Sequence, residues 1–278
     1  MIVKRKEIRK MNGDKAELTA VQLARIAMDE ARGIRFSRDR RMLTRYPATQ
    51  PDHSYDIPPG VTAIRAGAFD RCGNLERLRI PDSVKRIGNS AFSECTALTE
   101  IDLPDSVTAV GEYVFGNCTA LKKIRFSRAL KKIGIGMLTV CRALEKADIP
   151  DCVTKIDAEG FRDCSALTEV DIPGSVTEIG ALAFQRCRAL KKVTIPGSVA
   201  EIGFAVFGNC PKLTEVRIAD GVKKIGRWAF DGCVRLAKIH IPESVTEIAG
   251  DAFRDCPCAR DPEFQRLLTA KLPLNKTI

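Results

Sequence analysis

Hydrophobic and polar positions repeat along this chain with a period of 23 residues that is never broken between about residue 57 and residue 258. One apolar column reads Val61, Val84, Val107, Leu130, Val153, Val176, Val199, Val222 and Val245, and a second, three residues on, runs from Ile64 and Ile87 to Ile248. A third reads Phe69, Phe92, Phe115, Leu138, Phe161, Phe184, Phe207, Phe230 and Phe253. Cysteine follows three residues later at Cys72, Cys95, Cys118, Cys141, Cys164, Cys187, Cys210, Cys233 and Cys256, and a leucine follows three after most cysteines. A fixed period of this length is the signature of a solenoid, in which each repeat is one turn. A single turn is too short to bury its own apolar face, so neighbouring turns must stack.

Within each repeat the local pattern assigns the elements. Tracts such as Leu98-Thr99-Glu100-Ile101-Asp102-Leu103 alternate apolar and polar at their end, which is the period of a half-buried strand. Pro81, Pro104, Pro150, Pro173, Pro196 and Pro242 then stop the strand, because proline has no N–H for a central ladder. The Val-x-x-Ile tract is commonly followed by glycine (Gly88, Gly111, Gly134, Gly180, Gly203, Gly226), where a bend with permissive backbone angles is expected. The Ala-Phe-x-x-Cys tract has the length of one helical or 3₁₀ turn on the opposite side of the coil.

The consensus Leu-x-x-Ile-x-Ile-Pro-x-Ser-Val-x-x-Ile-Gly-x-x-Ala-Phe-x-x-Cys resembles the BspA-type leucine-rich repeat. That resemblance implies an α/β repeat fold, a right-handed leucine-rich repeat solenoid with parallel strands and short helical or 3₁₀ turns. It also implies use in protein–protein contact, often in bacterial adhesion. The fourth copy departs from the pattern, with Ser127 for Pro, Leu130 for Val, Leu138 for Phe and Ala147 for Ile. It is the expected soft spot of the array.

Outside the repeats, residues 14–32 carry an apolar stripe near the helical period, starting at Gly13 or Asp14 and ending at Gly33. Ile34-Arg35-Phe36 and Met42–Tyr46 read as a hairpin placed to cover the edge of the first repeat, and residues 262–271 read as a closing helix. The expected organisation is a basic helix-and-hairpin cap over residues 1–56, nine repeats over 57–258 and a helical cap over 259–278. No apolar run reaches membrane-spanning length. The basic start is not followed by the apolar segment of a secretory signal, so a complete chain is expected in the cytoplasm and a trimmed one at the cell surface.

Charge narrows the partners. Residues 1–46 hold 13 Lys and Arg against 6 Asp and Glu, which makes most of the chain's net +10. A basic arm of this kind is a candidate for nucleic acid or an acidic surface, but no aromatic platform accompanies it. In the repeats, the exposed strand positions form two charged columns, Arg77, Glu100, Lys123, Lys146, Glu169, Lys192, Glu215, Lys238 and Arg79, Asp102, Arg125, Asp148, Asp171, Thr194, Arg217, His240. Most steps change sign, so the columns read as a self-compensating ladder. Lys192, Arg217, Lys238 and His240 are the candidate contacts for a protein partner, while Tyr113 and Trp228 fall on another face.

Candidate chemistry is sparse. The cysteine column reads as a buried ladder of small side chains, reduced in a reducing compartment. Cys256 and Cys258 lack the two further ligands of a zinc site, and His53 and His240 are the only histidines. Cys152 reads as an incidental replacement of Ser or Gly at a turn. Glycines are spread one per turn and form no phosphate loop. The expectation is a non-catalytic scaffold without cofactor or metal.

Overall fold

A computed structural model describes residues 17–271. Its repeats stack as a parallel-strand solenoid of about nine turns. The expected strands form a first ladder in register with the 23-residue period: Ser54–Asp56, Arg77–Arg79, Glu100–Asp102 and Lys123–Arg125, then Lys146–Asp148, Glu169–Asp171, Lys192–Ile195 and Glu215–Ile218. The middle residue of each strand is buried and its neighbours are mostly exposed, as the pleat dictates.

A second parallel ladder runs beside the first, formed by the Val-x-x-Ile tract. Ala63–Ile64, Arg86–Ile87 and Ala109–Val110 pair in succession, as do Lys132–Ile133, Lys155–Ile156 and Glu178–Ile179, and then Glu201–Ile202, Lys224–Ile225 and Glu247–Ile248. The glycines after this tract serve a different purpose from the bend expected of them. None of Gly88, Gly111 and Gly180 has a positive φ, but a β-carbon there would run into the backbone of Ala66, Asn89 and Ala158. Close approach of consecutive turns, and not backbone freedom, selects glycine at these positions.

The Ala-Phe-x-x-Cys tract is a chain of tight turns. Bonds from residue i to i−3 are present, such as Cys95 N to Phe92 O at 3.3 Å, but two left-handed residues per coil keep a helix from propagating. One such column holds Ser90, Tyr113, Gly136, Glu159, Leu182, Ala205 and Trp228, and the other Glu94, Asn117, Val140, Asp163, Arg186, Asn209 and Gly232. The resulting backbone faces the next coil and bonds to it, as in Phe92 N to Val114 O at 2.9 Å and Glu94 N to Gly116 O at 2.8 Å. Val140, with φ of 63°, is the β-branched member of its column, and L-residues in this region carry about 1–2 kcal/mol of strain. Replacing Val140 by Asn is expected to stabilise the fold by about 1 kcal/mol, read as a higher midpoint in urea.

The core is one continuous set of stacked columns. Phe161, Phe184, Phe207, Phe230 and Phe253 lie 5.1–5.5 Å apart, nearly parallel, as do Phe92 and Phe115. Leu138 interrupts the stack, and Met137 beside it is fully buried where other copies hold smaller residues. Both strand ladders also lose their pairing at this copy, between Lys123–Arg125 and Lys146–Asp148 and between Ala109–Val110 and Lys132–Ile133. One departure is compensated. In other copies a serine hydroxyl donates to the Val carbonyl of the previous coil (Ser106 to Val84, Ser175 to Val153), and here Ala129 holds the serine's place. Buried Ser127 reaches the same acceptor column, Val107 O, at 2.7 Å.

Both ends of the stack are covered. Helix α1, Ala20–Ala31, begins at Thr19, which makes a capping box with Gln22, so it starts later than the apolar stripe suggested; residues 14–16 lie outside the described residues. Its buried Asp29 accepts a bond from Tyr55 Oη at 2.8 Å, and the rings of Tyr46 and Tyr55 pack on Phe69. The hairpin of Arg35–Phe36 and Met42–Arg45 forms as expected and joins the second ladder through Met42↔Ala63. At the far end, helix α2, Pro262–Ala270, is capped by Asp261 and sets Phe264 edge-on against Phe253.

Candidate functional site: the exposed face of the first ladder

Strand alternation turns the polar residues of the first ladder outward, so two columns of charge line one face. Over the coils nearest the N-terminus this face is hollowed into an open groove of about 1140 Å³. Core residues Leu78, Ile101, Ile124 and Phe126 lie buried beneath it, and its rim carries Arg77, Arg79, Arg125, Asp148 and Asp151. A second hollow of about 880 Å³ adjoins it near the start of α1, and Arg79 and Arg125 line both.

The rim charges are unequally engaged. Arg125 is clamped by Asp102 at 2.5 Å and Asp105 at 3.2 Å, while Asp105 also accepts the backbone N of Arg128 at 2.9 Å. That backbone bond, followed by the Arg125 guanidinium, holds the Asp105 carboxyl below the usual carboxylate range. Arg77 and Arg79 have no carboxylate at ion-pair distance among the described residues. The ladder is therefore only partly self-compensating. Lys146 and Arg217 pair within their own strands, with Asp148 and Glu215, and Asp148 stands directly opposite Asp171, a like-charge step.

Lys192, Arg217, Lys238 and His240 lie farther along the same face. Lys192 is flanked in register by Glu169 and Glu215, and Arg217 bridges to His240, but none of the four lines the groove. The N-terminal part carries no separate signal in the sequence, because all the outward columns look alike.

The nine cysteines of the column are buried, and their thiols make a ladder of their own. Sγ of each from Cys95 onward donates to a carbonyl of the preceding coil, such as Cys118 to Phe92 O at 3.1 Å and Cys164 to Leu138 O at 3.2 Å. Burial pushes the Cys118 thiol up to about 12 and those of Cys141, Cys164, Cys187 and Cys210 well above their ordinary value. Cys152 is different: half-buried, on the groove wall, it replaces the serine that bonds the previous coil and donates to Leu130 O at 3.1 Å. Among the described residues no group of three or more His, Cys, Asp or Glu is arranged to hold a metal ion.

A second aromatic feature lies on the turn edge, where the sequence placed Trp228. Phe204, 41% exposed, tilts against Trp228 at 5.1 Å, and the guanidinium groups of Arg227 and Arg254 each sit 5.3 Å from the Trp228 ring centre.

Comparison with known proteins places these features in context. The model of the BspA type leucine rich repeat region matches residues 53–168 and 139–260 with six copies. A leucine rich repeat protein of T. pallidum superimposes with a TM-score of 0.55 at 26% identity, over 76% of this chain and 88% of that one. A leucine rich cell surface protein of Faecalibacterium prausnitzii superimposes with a TM-score of 0.52 at 29% identity, over 80% of this chain and 63% of that one. No curated protein matches the chain in sequence.

Proposed function

The chain belongs to the BspA-type leucine-rich repeat family, and from that premise we propose that it is a non-catalytic scaffold whose first-ladder face binds a protein partner. The observation that carries this reading is the groove: an open hollow lined by charged side chains, with Arg77 and Arg79 unpaired at its near end. Rim charges of this kind select the partner and speed its approach. Arginine is also the cation most enriched where protein interfaces concentrate their affinity.

The test is capture of proteins from cell extracts on the immobilised full chain, beside Arg77→Glu/Arg79→Glu and Lys192→Glu/Lys238→Glu variants of unchanged circular dichroism. A partner held by the parent is expected to be lost at least about tenfold by the first variant, since reversing both arginines sets like charges against the partner's complementary patch, a juxtaposition that costs several kcal/mol. A partner kept by that variant and lost by the second would move the site to Lys192, Arg217, Lys238 and His240. Failure to enrich any protein would contradict the scaffold reading.

A place at the cell surface has one specific support, the description of the F. prausnitzii relative as a cell surface protein. No helix among the described residues is long and apolar enough to cross a membrane. Protease shaving of intact cells decides it: release of peptides from the repeats is expected, and full protection would place the protein inside.

A further inference from the structure

We propose that the N-terminal half of the second ladder is a binding strip for a linear sulfated polysaccharide. The strip is built by the sheet that joins the hairpin to the first coils. Its outward positions are Thr62, Lys85 and Arg86, Thr108 and Ala109, and after the pairing break Lys131 and Lys132. No Asp or Glu occupies these positions before Glu178, whereas the coils beyond carry Glu178, Glu201 and Glu247, to which Lys155 and Lys224 bridge. The charge is therefore concentrated in one half of a regular ladder.

One observation indicates that these cations are poised for something outside the chain. Among the described residues Lys85, Arg86 and Lys131 have no carboxylate at ion-pair distance, and only Lys132 has one, buried Asp157. Strands spaced about 4.8 Å apart put the rows of Lys85 and Lys131 about 10 Å apart across a neutral row.

Shape chooses the occupant. The strip is narrow and bordered by carboxylates, with Asp82 and Asp105 before the strands and Glu112 after them, all exposed. A duplex or a flat anionic membrane would press its own charges onto those borders, whereas a single thin chain lies between them. Single-stranded nucleic acid would draw affinity from bases stacked on aromatic rings. The strip's outward positions hold none, and the nearest exposed ring, Tyr113, lies against Gly136. A thin polyanion without bases fits best.

The test uses heparin as the probe and single-stranded DNA as the competitor, titrated against the full chain over a salt series. The strip variants are Lys85→Glu/Arg86→Glu and Lys131→Glu/Lys132→Glu. The control, Lys212→Glu/Lys223→Glu, makes the same change of charge in the C-terminal half, and all three are checked for parental melting. Binding by the parent is expected, with at least tenfold loss and a salt slope shallower by about 1–2 in either strip variant, and near-parental affinity in the control. Equal loss in the control would reduce the effect to net charge and overturn the proposal. So would absence of heparin binding, or DNA that displaces heparin at lower charge-equivalent concentration.

Discussion

Raising the pH from 8 to 11 is expected to unfold the array in one steep transition. In the folded chain burial holds the thiols of Cys141, Cys164, Cys187 and Cys210 well above their ordinary value and that of Cys118 up to about 12, while an unfolded cysteine ionises near 9.0. The sign follows from proton counting. Above pH 9 the unfolded chain sheds protons that the native chain retains, so this stabilisation is complete below pH 9 and falls as pH climbs toward the folded values. Each such thiol removes about 1.4 kcal/mol per pH unit, and the five together about 7 kcal/mol per unit. Natural folds hold only about 5–15 kcal/mol, so the transition belongs within one to two units above pH 9. Circular dichroism against pH checks this, and a Cys164→Ala/Cys187→Ala variant should show a shallower dependence. Thiolate absorbance rising while the native spectrum persists would mean that the column is open to water.

Phe184→Ala is expected to lose about 3–5 kcal/mol, the cost of deleting a large aromatic from a core that cannot collapse around the void. Phe184 is fully buried and stacked at 5.1 Å on Phe161 and 5.4 Å on Phe207, each held by its own coil. The backbone spacing fixes the gap, because ladder bonds on both sides set how closely coils approach. Urea unfolding gives the number, with a surface change such as Val234→Thr, at a 53% exposed site, expected within about 0.5 kcal/mol of the parent. A loss below 1 kcal/mol at Phe184 would mean that the stack is loosely packed.

The interior was readable from the chain because it repeats. Val153, Ile156, Phe161, Cys164 and Leu167 each recur at one spacing, and a buried column is the way for nine identical coils to use identical apolar residues. The hairpin and closing helix were readable for the usual local reasons, an alternating pattern at Met42–Tyr46 and Asp261 with Pro262 at a helix start. The second ladder was not. Its strands are two residues long, too short to display a period of two, and their glycines suggested a bend. Left-handed backbone at Val140, Leu182 and Trp228 was hidden for a similar reason, since nothing in those side chains asks for it. The groove had the least signal of all. Arg77 and Arg79 belong to the same columns as Lys192 and Arg217, yet only the first two line the hollow.

Counting reactive thiols in the native and the unfolded chain tests the stacked interior most directly. The sequence holds 11 cysteines, ten of them buried and one, Cys152, half-buried on the groove wall. With a disulfide reagent in excess at neutral pH, one thiol per chain should react quickly, lost in a Cys152→Ser variant, and all eleven should react after denaturation. Several fast thiols in the native chain, or fewer than eleven once it is unfolded without reductant, would contradict a sealed column of reduced cysteines at the centre of the solenoid.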